Sequence, residues 1–96
     1  MAKAKVAKRY VIHGRVQGVG FRYFAERVAN GLGLAGSVRN RWDGTVEVYA
    51  IGDAESLEAF KRQLEKGPPS ARVSHVEESE EDANAQATRF VIRDNV

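Results

Sequence analysis

Gly14, Gly18 and Gly20 fall within seven positions just ahead of Phe21, and Arg22 follows at once. A glycine-rich bend that feeds into a helix aims backbone N–H groups outward, and the partial positive charge of the helix start adds to them. Gln17, Gly18, Val19, Gly20, Phe21 and Arg22 are therefore the residues from which an anion cradle could be built. Arg22 sharpens this reading, because a cation in the first helical turn is disfavoured by roughly 0.3 to 1 kcal/mol unless something anionic offsets it. The competing reading pairs Arg22 with Glu26, one helical turn on, for about 0.3 to 0.5 kcal/mol, and leaves the glycines merely to turn the chain. Neither common nucleotide loop fits: G-x-x-x-x-G-K-[ST] is absent, and Gly18-x-Gly20 lacks a third glycine and a distant acidic partner.

The elements that must hold this loop can be read outward from it. Lys8 to His13 is rich in β-branched and aromatic residues and stops at Gly14, as a strand would. After the loop, Phe21, Phe24, Val28 and Leu32 recur at helical spacing until Gly31 and Gly33. Ser37–Trp42 and Thr45–Ile51 read as strands joined by Asp43-Gly44, a dipeptide suited to the positive φ angles of a tight hairpin. Asn40 sits in the first of them, where asparagine is disfavoured, and its neutral reading is an edge or ladder-end residue. Asp53 is a fitting N-cap for a second helix with a stripe of Leu57, Phe60 and Leu64, ended by Gly67-Pro68-Pro69. Val73–Val76 begins a further strand, the acidic residues 77–82 suit a solvated edge or loop, and Arg89–Arg93 forms the last strand. The order βαββαβ, with one marginal extra strand, is that of an α+β ferredoxin-like sandwich: a mainly antiparallel sheet with two helices on one face.

The chain has 96 residues, 43% hydrophobic and 29% charged, which fits one domain over residues 1–96 with residues 1–7 as a flexible lead. With no cysteine there are no disulfides or thiolate nucleophiles, and His13 and His75 stand far apart in sequence and outside any ligand spacing, so no metal site is expected. The basic start lacks the apolar body of a secretory signal, and no segment approaches the roughly 20 apolar residues of a membrane span. A cytoplasmic protein is expected. The net charge of +2 suits an anionic ligand without choosing between a small one and a polyanion.

Ile12-His13-Gly14-Arg15-Val16-Gln17-Gly18-Val19-Gly20-Phe21-Arg22 closely resembles the first acylphosphatase signature. Gly36-Ser37-Val38-Arg39-Asn40, followed by Asp43-Gly44-x-Val46 and Gly52, resembles the second. The likeness runs from about Tyr10 to Arg93. It implies hydrolysis of acyl phosphates to carboxylate and inorganic phosphate, without metal or other cofactor, and a monomer is expected. By the same resemblance Arg22 and the 17–22 amides bind phosphate and Asn40 orients water. Arg39 and Arg41, by strand alternation, point away from Asn40 and are read as solvated charges. Two positions depart from the family pattern: Ser37 stands where an aromatic is frequent, which bears on packing, and Gly20 replaces a bulkier residue, which could loosen the cradle. The rival reading is a non-catalytic RNA- or protein-binding module, but only Tyr10 and Tyr49 could stack bases and the basic-aromatic RNP pattern is missing, so no nucleic-acid partner is expected. A second rival keeps the site but places such a domain within a larger carbamoyl-transfer enzyme.

Overall fold

In the computed structural model, which describes residues 4–84 and 86–95, the first strand, β1, spans Val6–Arg15 and so starts earlier than Lys8. Residues 1–3 of the expected flexible lead lie outside the described residues. Val6 and Ala7, by contrast, are rungs of the sheet, opposite Gly52 and Ile51, and Ala7 is buried in a small apolar cluster with Ala35 and Ile51. The remaining elements are α1 (Phe21–Gly31), β2 (Ala35–Asn40), β3 (Val46–Gly52), α2 (Ala54–Lys66), β4 (Arg72–Glu81) and β5 (Phe90–Ile92). They form one sheet of order β4-β1-β3-β2-β5, antiparallel throughout except for β5 beside β2. This is the expected ferredoxin-like α+β arrangement, with the extra strand at one edge.

Strand alternation divides the sheet into two faces. Tyr10 and Ile12 of β1, Val38 and Asn40 of β2 and Val46, Val48 and Ala50 of β3 share the face covered by the helices. Against them pack Leu57, Phe60 and Leu64 of α2, as their spacing predicts, and Phe60 meets Tyr10 and Phe90 edge to face. Each large side chain so buried stabilises the fold by about 1.5 to 3 kcal/mol. In α1 the fully buried stripe is Phe21, Ala25 and Ala29, while Phe24 and Val28 lie only partly covered. Beyond Phe21, small side chains on the contact face let the helix approach the sheet, so Ala25 and Ala29 lie deeper than the larger Phe24 and Val28.

One expectation is corrected and another is narrowed. The hairpin between β2 and β3 is not a two-residue turn: Asn40 pairs with Val46, and Arg41 N–H donates to the Thr45 carbonyl at 2.9 Å. Within it only Gly44 takes a positive φ, and the Asp43 carboxylate accepts from both the N–H and the hydroxyl of Thr45. Of the edge and the loop expected for the acidic stretch, the structure takes the edge: it is a strand through Glu81, because its carboxylates meet the cations of β1 and α2, with Lys8 3.1 Å from Glu78, Arg9 2.6 Å from Glu81 and Lys61 3.2 Å from Glu78. On the face without helices, Tyr49 donates to the Asp82 carbonyl at 2.6 Å and accepts from Asn84 N–H at 3.0 Å, anchoring the start of the β4–β5 connection.

Candidate active site

Beyond β1 the backbone bends through residues 17–20 and enters α1 at Phe21. Gly18 and Gly20 take φ of 73° and 78°, flanking Val19, whose φ is negative. Alternation of this kind turns successive N–H groups toward one side and makes an anion-binding concavity. A Cβ at either glycine would meet nothing within 4 Å, so it is the dihedral and not crowding that calls for glycine.

Gly20 is the N-cap of α1 and, having no side chain, supplies no cap hydrogen bond; no acidic residue occupies the first turn. The first intrahelical bond runs from Phe24 N–H to the Gly20 carbonyl at 3.1 Å. The N–H groups of Phe21, Arg22 and Tyr23 are therefore left without helical acceptors, and nothing local neutralises the helix start. The Arg22 guanidinium, half-buried, donates from Nη1 to the Arg93 carbonyl at 3.4 Å. Among the described residues it forms no ion pair with Glu26.

Asn40 ends β2 on the helix-covered face and is 9% exposed. Its carboxamide has no hydrogen-bond partner among the described residues. The carboxamide atoms are still reached from solvent through the neighbouring pocket, so this amide is placed to meet a ligand or a water. The strand neighbour Arg39 projects to the other face, where Nε and Nη2 each lie 2.7 Å from a Glu47 oxygen. Arg41 lies 3.7 Å from Asp43 in the hairpin loop. The Asp43 carboxyl is held below its ordinary value of 3.8, first by the Thr45 hydroxyl and then by the Thr45 N–H.

Gly18, Gly20, Phe21, Arg22 and Asn40 line one pocket of about 200 Å³. Of the six residues expected to form the cradle, Gln17 and Val19 do not line it. Val19 packs against the core, and the Gln17 side chain donates to the Arg41 and Thr45 carbonyls at 2.7 and 2.9 Å. Val16 and Tyr23 complete the lining, and no sequence signal pointed to them. A larger hollow of about 370 Å³, beside Lys5 to Lys8 and Glu80 to Ala83, lacks this convergence of amides, guanidinium and carboxamide.

A family model described as acylphosphatase matches residues 8–92. The acylphosphatase of Koribacter versatilis (strain Ellin345) is 52% identical over 77 residues, which are 80% of this chain and 70% of that protein. The crystal structure of acylphosphatase from Bacillus subtilis superposes with a TM-score of 0.88 at 39% identity, covering 92% of this chain and 98% of that one. Full-length HypF in its phosphate- and nucleotide-bound form aligns with a TM-score of 0.89 at 29% identity, over 99% of this chain and 13% of that one. With a family match over nearly its whole length and the glycine bend, arginine and asparagine gathered at one pocket, the chain belongs to the acylphosphatase family, enzymes that hydrolyse acyl phosphates.

Proposed function

We propose that the phosphoryl group of an acyl phosphate is held by Arg22 and the backbone N–H groups of residues 17–22, while the Asn40 carboxamide places the attacking water. The observation that carries this reading is that Arg22 and Asn40, whose carboxamide has no partner among the described residues, line the same pocket as Gly18 and Gly20.

Phosphoryl transfer spreads charge over three equatorial oxygens, and catalysis is mostly positioning and electrostatic stabilisation. Charge-assisted bonds from the fixed amides and the guanidinium meet that charge as it develops. The planar guanidinium suits two oxygens at once, which an ammonium does not. The Asn40 oxygen accepts from the water and its NH₂ donates to the phosphoryl group, so a single side chain can set the line of attack. The water oxygen forms the new P–O bond as the P–O bond to the acyl group breaks, and the products are carboxylate and inorganic phosphate. The leaving carboxylate is a weak base that departs without a protein acid. With no Cys, Ser or Asp between Gly14 and Arg22, direct attack is favoured over a phosphoenzyme.

No helix among the described residues is long and apolar enough to cross a membrane. We propose a monomer that acts on small acyl phosphates in the cytoplasm.

Steady-state hydrolysis of benzoyl phosphate tests the assignment. Arg22→Ala should raise KM and lower kcat, and Asn40→Ala should lower kcat with little change in KM, each by about 2.7 to 4 kcal/mol in transition-state stabilisation. Inorganic phosphate should inhibit competitively in the parent and much more weakly in Arg22→Ala. Near-parent turnover in Asn40→Ala would assign the water to another group.

A further inference from the structure

His13 and His75 are the two histidines of the chain, and the register of β1 and β4 sets them directly opposite each other. Their rings lie face to face, 4.2 Å between centroids and 8° between planes. Glu77, two residues along β4, shares a face of the strand with His75. Its Oε1 lies 3.4 Å from His13 Nε2 and 3.8 Å from His75 Nε2. The three ligand atoms all lie within 4.8 Å of one another.

Two further observations mark the group. The ladder shifts between His13 and Gly14, which pairs with Val73, so that β4 carries an extra residue here. Bulges re-aim side chains and recur beside functional sites. Among the described residues, His13 Nε2 is also the one side-chain polar atom sealed from solvent with no hydrogen-bond partner, since its approach to Glu77 lacks hydrogen-bond geometry.

From this geometry we infer that His13, His75 and Glu77 bind a divalent first-row transition-metal ion, with Zn²⁺ as the representative. Two imidazole nitrogens and one carboxylate oxygen are a ligand set for such an ion, whereas Ca²⁺ and Mg²⁺ take oxygen. A tetrahedral ion with bonds of about 2.0 to 2.1 Å sets its ligand atoms about 3.4 Å apart, close to both carboxylate–imidazole separations. Parallel rings aim their lone pairs the same way, so one ring must turn to close on the ion. The His75 side chain, 58% exposed, has room to turn, while His13, at 32%, is the more confined. The fourth position falls to water. Alternation puts His13 on the face opposite Asn40, so the ion fastens β1 to β4 and takes no part in hydrolysis.

Calorimetric titration of the full chain with ZnCl₂ at neutral pH tests this. One binding event is expected, weakened roughly tenfold or more in both His75→Ala and Glu77→Gln. Ni²⁺ should broaden the imidazole proton resonances of both histidines, and His75→Ala should keep parent turnover of benzoyl phosphate. Absence of Zn²⁺ binding, undiminished affinity in His75→Ala, or Ni²⁺ broadening that spares the imidazoles would overturn the site.

Discussion

Gln17 illustrates how a single side chain can set the spacing of a reaction it does not touch. Its NH₂ spans from the glycine bend to the Arg41 and Thr45 carbonyls, one residue beyond Asn40 and one short of Val46. The amides before α1 and the carboxamide at the end of β2 are thereby held at a fixed separation, although 23 positions separate Gln17 from Asn40 in the chain. Gln17→Ala should cost about 1 to 3 kcal/mol in chemical denaturation, because two half-buried carbonyls lose a donor. It should also lower kcat/KM on benzoyl phosphate, since catalysis by positioning decays steeply with misplacement. A variant with parent stability and parent kinetics would show that the tether is idle. Before the structure, Gln17 was legible only through its backbone. A polar side chain inside a glycine loop has no periodicity from which to infer its partner, whereas Arg22 stands out because a cation at a helix start calls for an anion.

Among the elements, β4 departs most from its sequence. Residues 77–82 are all polar, so the alternation that announces a half-buried strand is missing, and the sequence leaves a solvated edge and a loop equally open. Pairing with β1 overrides that pattern, because Lys8, Arg9 and Lys61 sit where the register delivers carboxylates. The Lys8 ammonium, through its hydrogen bond, holds the Glu78 carboxyl below its ordinary value of 4.5. A carboxyl depressed in the folded state adds stability that is present above its ordinary pKa and is lost as pH falls through the carboxylate range. The melting temperature of the parent should therefore drop on acidification from about pH 7 to about pH 3, and Glu78→Gln should flatten part of that slope. Equal slopes in the two proteins would exclude this pair as a contributor. The helices were more legible: α2 carries its cap, stripe and stop in the order expected, whereas the deep stripe of α1 hides in two alanines that hydrophobic spacing undervalues.

At the scale of the whole molecule, element order and the two glycine-bearing motifs were enough to fix the architecture, but register was not. Only the folded sheet shows that His13 faces His75, or that the Arg93 carbonyl lies against Arg22. Both contacts depend on which rung meets which, and a linear sequence states no rungs. One residue at the hairpin after Asn40 has a consequence for how folding can be watched. Trp42, the only tryptophan, is 82% exposed. Its indole already emits from water in the native state, so a denaturant titration should leave the emission maximum almost still while far-UV ellipticity collapses, two optical probes that disagree in a two-state protein for a purely local reason. A large red shift on unfolding would instead reveal that something shields this ring in solution.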